Sequence, residues 1–166
     1  MAKDLAEIVT EVQRSLCKPC WYVSCGGAAN LTTFELALGE KVPRTAIIPN
    51  EQHPDDFSHY EGEANLLVWC SWRLDGPDAP LTSWDDTVEN VERILEQLVG
   101  RSIVDVHVDL PGWDLHLDFT DGLRLHVFCD HVPGDPSFDD NWTLFLTNKM
   151  IAIGVGSKCE VEPRTP

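Results

Sequence analysis

Three histidines offer the sharpest chemistry in this sequence, because a hairpin register lines them up. Pro111-Gly112 reads as a two-residue turn that sets His107 opposite His116 and Val108 opposite Leu115. Phe119-Thr120-Asp121-Gly122-Leu123 reads as a three-residue hairpin loop with Gly122 in the left-handed conformation, which sets His116 opposite His126. The same register gathers Val104, Val106, Val108, Leu115, Leu117, Phe119, Leu123, Leu125 and Val127 on one face. A slip of one residue would turn those aliphatics into water. Neighbouring strands lie about 4.8 Å apart, so the three imidazoles form one cross-strand row. Asp105, Asp118 and Arg124 occupy the row beside it. Three imidazoles backed by carboxylates are a donor set for zinc, since catalytic zinc takes three protein ligands with carboxylates behind them. The bland alternatives are a solvated sheet face or a pH-sensitive partner-binding face.

Cys17-Lys18-Pro19-Cys20 has the spacing of a zinc knuckle or a redox pair. A knuckle needs a second pair, and only Cys25 lies nearby. A redox pair opens a helix, whereas this one closes one. Thiols tucked at a helix-to-strand corner are the reading that remains, and Cys70 and Cys129 sit inside apolar strand-like runs in the same way. Other templates fail. Gly154-Val155-Gly156-Ser157 lacks the helix that follows a phosphate-cradling loop, and no Gly-x-Ser-x-Gly elbow occurs. His53, Asp55, Asp56 and His59 fall in a polar loop. No catalytic residue is singled out.

The elements that would position these groups come from periodicity. Leu5, Ile8, Val9, Val12 and Leu16 recur at helical spacing, and the helix stops before Pro19. Strand-like runs follow at Trp21–Val23, Leu31–Leu38, Val42–Ile48 and Ala64–Leu74, punctuated by Gly26-Gly27 and Pro49-Asn50, with a polar loop over 50–62. Ser83 is a suitable N-cap for a second helix that carries Asp85 and Asp86 in its first turn and closes at Gly100. Val88, Val91, Ile94, Leu95 and Leu98 form its apolar stripe, expected to pack on the meander that follows. Strands are expected at 102–110, 113–119, 123–129, 141–147 and 150–155. Residues 34–39 align with 115–120, and residues 63–69 with 139–145, at an offset of about 80. The expected architecture is therefore α+β: two helix-plus-antiparallel-β-meander repeats packed into one compact unit. The repeats span 1–78 and 79–166 and meet at the Pro77–Pro80 joint.

Charge narrows the partners. The 166 residues carry a formal net charge of −16. Binding to phosphate backbones or anionic membranes requires the opposite surplus, so neither nucleic acid nor membrane is expected as a direct partner. A basic protein is, as is mimicry of nucleic acid toward a DNA-binding enzyme. The opening residues show no basic segment with an apolar run behind it, and no run approaches a membrane span, so the expected address is the cytoplasm. Six cysteines in that compartment read as free thiols.

Leu98-Val99-Gly100-Arg101-Ser102-Ile103-Val104, the run Leu115-x-Leu117-x-Phe119-x-Asp121-Gly122-x-x-Leu125, and the later Asn141-Trp142 together resemble a family of small bacterial immunity proteins encoded near polymorphic toxins. The resemblance spans residues 95–156. It implies neutralisation of a toxin by occlusion and brings no catalytic residues. The expected partner surfaces are Asp85, Asp86, Glu89 and Glu92 on the second helix and Asp105, Asp109, Asp114 and Asp118 on the meander. Trp72 is expected as an exposed aromatic anchor, while Trp84, Trp113 and Trp142 are expected in the packing. A metal-dependent enzyme using His107, His116 and His126 is the alternative from another class. Strands near 42–48 and 150–155 read as sheet edges through which a homodimer could form.

Overall fold

The computed structural model describes residues 4–25, 33–48, 55–134 and 140–165. The expected turns at Gly26-Gly27 and Pro49-Asn50, and His53, lie outside them. Helix α1 (Leu5–Leu16) buries Ile8, Val12 and Leu16, one per turn, while Leu5 at its start is exposed. Strands β1 (Cys20–Cys25), β2 (Phe34–Pro43) and β3 (Tyr60–Val68) follow as an antiparallel meander, with a short helix, α2 (Asp55–His59), leading into β3.

The expected strand over 64–74 is in fact two. The chain turns at Trp69 and Cys70, whose N–H groups both donate to the Asn141 carbonyl at 3.0 and 3.2 Å. Strand β4 (Ser71–Asp75) then enters a different sheet, and β5 (Pro80–Ser83) folds back along it. That hairpin takes up Ser83, so the second helix, α3 (Val88–Leu95), begins later than its periodicity suggested, with Thr87 at its N-cap. Asp85 and Asp86 therefore precede the helix and do not form its first turn. A single 3-10 turn, Glu96–Leu98, completes it, and Gly100 adopts a φ of 86° just beyond.

The second meander is β6 (Ile103–Asp109), β7 (Asp114–Phe119) and β8 (Arg124–Phe128), in the register read from the sequence: His107 opposite His116 and His116 opposite His126. One member of the expected apolar face differs. A bulge between Ile103 and Asp105 buries Ile103 and leaves Val104 60% exposed. After β8 the chain crosses back to form β9 (Trp142–Leu146), β10 (Lys149–Ile153) and β11 (Cys159–Pro163).

Two antiparallel sheets result, ordered β1-β2-β3-β9-β10-β11 and β5-β4-β8-β7-β6. This is an α+β fold in which each sheet takes strands from both sides of residue 78. The edge expected at 150–155 is covered, since β10 lies between β9 and β11, whereas at 42–48 the strand ends at Pro43 and Lys41–Pro43 pair with β3 alone, beyond the stretch that β1 covers. The unforeseen β11 pairs outside β10, and its Glu160, Glu162 and Pro163 are the kind of residues that blunt an edge. The inner faces of the sheets form one core, in which Phe34 of β2 meets Trp72 of β4 edge to face at 5.1 Å. Helix α1 packs beside β6 and braces it with a Gln13 Nε2 bond to the Val106 carbonyl at 3.0 Å. Helix α3 packs against β5, and its trailing 3-10 turn against β1.

Asn141 is fully buried at the crossing point, and its side chain is fully used. Its Oδ1 accepts from the His131 N–H at 3.0 Å and its Nδ2 donates to the Gly154 carbonyl at 2.9 Å. Asn141→Leu would strand both backbone groups in the interior. Urea unfolding should show a loss of about 2–4 kcal/mol. A loss under about 0.5 kcal/mol would show that the crossing does not depend on this carboxamide.

Candidate functional site

The outer face of the five-stranded sheet carries two polar rows. Alternation along β4 places Trp72 and Leu74 inside and Arg73 and Asp75 outside. Arg73 lies opposite His126, so the first row runs Arg73, His126, His116, His107 across β4, β8, β7 and β6. Asp75 lies opposite Arg124, so the second runs Asp75, Arg124, Asp118, Asp105. Arg73 and Asp75 were not among the residues read as a site. The strand expected over 64–74 stops before Asp75 and belongs to the first meander, whereas β4 carries both residues into the five-stranded sheet.

The rows are joined into a hydrogen-bonded chain. Asp75 accepts from the Arg73 guanidinium at 2.8 and 3.1 Å and from His126 Nε2 at 2.9 Å. His126 Nδ1 faces His116 Nδ1 at 2.7 Å. His116 Nε2 meets Asp109 Oδ2 at 2.8 Å, and His107 Nε2 meets Asp109 Oδ1 at 2.7 Å. Carboxylates only accept, so both Nε2 atoms of the central pair carry protons. The contact between the two Nδ1 atoms needs one proton more.

Burial lowers the pKa of His126, opposed in part by its bond to Asp75. This favours the neutral ring at His126. The Arg73 fork holds Asp75 below the usual carboxylate range, and the bonds from His116 and His107 do the same for Asp109. The ring nitrogens are turned onto these partners. Among the described residues no group of three or more His, Cys, Asp or Glu side chains is arranged to hold a metal ion. The row as it stands is a proton-holding chain, and a metal would have to displace its hydrogen bonds.

Beside the chain lies a cleft of about 600 Å³, lined in part by Arg73, Asp75, Asp118, Arg124 and His126. Its two guanidiniums are already engaged, Arg73 with Asp75 and Arg124 with Asp118. The acidic surface expected on this meander is accordingly mostly used within the fold. Asp109 and Asp118 are paired, and Asp114 accepts from the Cys129 N–H at 2.7 Å. Asp105 stays exposed.

A second surface forms where β5 meets α3. The Trp84 N–H extends the ladder to the Trp72 carbonyl at 3.0 Å, yet its indole is 46% exposed, with Val88 also exposed nearby in sequence. Asp86 anchors this corner. It accepts from the Thr82 hydroxyl at 2.8 Å, the Thr87 N–H at 2.7 Å and the Asn90 amide, and these bonds, that of Asn90 first, lower its pKa. Asp85 next to it, and Glu89 and Glu92 on α3, are exposed, and Arg93 is the nearby cation. Two tryptophans thus exchange their expected roles: Trp72 is wholly buried between the sheets and cannot anchor a partner, while Trp84 can. Trp113 and Trp142 are buried as expected, the Trp142 indole N–H donating to the Trp113 carbonyl at 2.9 Å. The Cys17-to-Cys20 pair is split, with Cys17 exposed and Cys20 buried. Among the described residues no helix is long and apolar enough to cross a membrane. Compared with protein-family models, with curated proteins and with solved structures, the chain matches none.

The neutral ring of His126 makes stability pH-dependent. Its folded pKa lies below the ordinary histidine value of about 6.5, so as pH falls past that value the unfolded chain takes up a proton that the folded chain refuses. A second proton would set two N–H groups of the pair against each other, with Arg73 close by. Melting temperature should fall between pH 7.5 and pH 5.5, and fall less in His126→Gln. Equal slopes in the two proteins would remove His126 as the cause.

Proposed function

We propose that this chain is an acidic protein-binding module that occludes a basic partner, with Trp84 as its anchor. The observation that carries the reading is the half-exposed Trp84 indole, on a segment held by its backbone bond to Trp72 and by Asp86, with exposed Asp85 next to it in sequence and exposed Glu89 and Glu92 on the helix that follows. Tryptophan is the residue type most enriched at binding hot spots, and these exposed carboxylates would steer a cationic partner. A toxin neutralised by an immunity protein in the cytoplasm is the instance that the resemblance over residues 95–156 implies. Mimicry of nucleic acid has less support, because much of the acidic meander surface is internally paired. The same order of elements in the two halves supports the inference of an ancient duplication. In each, a helix is followed by a meander and then a hairpin that pairs with the other half's meander. On that inference β9 holds the place of β4 in the order of elements, and β3 that of β8.

A second reading rests on the chain from Asp75 to His107 beside its cleft, which supports acid–base or metal-dependent chemistry. Affinity capture from lysate of the source cells separates the two readings. One basic protein should be retained at low salt, released at high salt, and bound about 30-fold or more weakly by Trp84→Ser. Equal retention by wild type and Trp84→Ser would remove the anchor. Stoichiometric zinc that is lost in His116→Ala, with no protein retained, would move the case to an enzyme.

A further inference from the structure

The two points where the chain changes sheets each carry a cysteine. Cys70 stands between β3 and β4, and Cys129 follows β8. The β4–β8 ladder ends at Ser71 opposite Phe128, and the next step of the same register sets Cys70 opposite Cys129. Trp72 and Val127, two residues inside the ladder, point into the core, so by alternation the two thiols share that inner face. Directly opposed antiparallel residues have Cα atoms about 4.5 or 5.5 Å apart, both within the range a disulfide spans. Cys70 belongs to the buried core and Cys129 packs against that core, with Cys129 Sγ 3.2 Å from the Trp113 carbonyl.

We propose that Cys70 and Cys129 form a reversible disulfide by exchange with a small-molecule disulfide. The half-buried Cys129 is the point of entry and the buried Cys70 is the resolving thiol. Cys129 attacks one sulfur of the reagent, forming a mixed disulfide and releasing one small thiol, which carries away the proton. Cys70 then attacks Cys129 Sγ and releases the second small thiol with the second proton. The protein loses two protons and two electrons, and the reagent gains both. The neighbouring Cys129 thiol, together with burial, pushes the Cys70 thiol up, which agrees with its acting second. The bond would tie the start of β4 to the end of β8, closing the long loop between them at the place where the halves exchange strands.

The full chain, incubated with oxidised glutathione and digested without reduction, should give a peptide linking Cys70 to Cys129 that dithiothreitol releases. Its melting temperature should rise by roughly 5–10 °C, and the rise should vanish in Cys129→Ser. Exposed Cys17 serves as the internal control for the reagent. A persistent glutathione adduct at Cys129 with no linked peptide would overturn the proposal. So would two unmodified thiols in a sample whose Cys17 has reacted.

Discussion

The fold depends on a fully buried carboxamide at position 141. Crossing from one sheet to another takes two backbone segments out of their ladders at once, which would leave donors and acceptors unpaired in the core. Asn141 resolves this with both ends of its side chain and with its own carbonyl, which takes the two N–H groups at the β3-to-β4 turn. Its N–H in turn donates to the Ile153 carbonyl. The next residue, Trp142, fills the space between the sheets and ties its indole N–H to the turn before β7. Asn141-Trp142 stood out in the sequence only as part of a resemblance. In the structure it is the joint through which each half completes the other's sheet.

That joint explains where the polar chain comes from. The histidines belong to the second meander, but the carboxylate holding His126 arrives on β4 from the first half. Without the exchange, His126 Nε2 would have no Asp75 carboxylate to bond. The exchange also divides the acidity. Carboxylates on the sheet face are spent on His107, His116 and Arg124, whereas Asp85, Glu89 and Glu92 keep their field for solution. A net charge of −16 describes the whole chain, and the pairing within the fold decides which of its carboxylates remain for solution.

Much of the second meander was legible because its evidence is local. Two turns and a strict alternation fix the register of β6, β7 and β8, and no competing pairing buries the same aliphatics. Trp72 was misread for the opposite reason. Alternation puts Trp72 and Leu74 on one face and Arg73 and Asp75 on the other, but it cannot say which sheet the strand joins, and that decides which face is buried. The shifted start of α3 has the same origin. Ser83 has the chemistry of an N-cap, but β4 needed a partner, and a ladder that completes a sheet outweighs one capping bond. Val104 followed the period, and only the bulge, which periodicity does not encode, turned it outward.

The placement of Trp84 follows from these constraints. The segment between β5 and α3 is fixed at both ends, by the ladder to Trp72 and by Asp86 bonded to Thr82, Thr87 and Asn90. An indole on such a segment has little conformational freedom left to lose on binding. That lowers the cost of association relative to an aromatic on a loose loop. Burial of Trp72 one strand away supports this corner from beneath, because the carbonyl that holds Trp84 belongs to the residue that fills the core. The residue expected to bind thus has a structural task, and through its backbone it positions the residue that is free to bind.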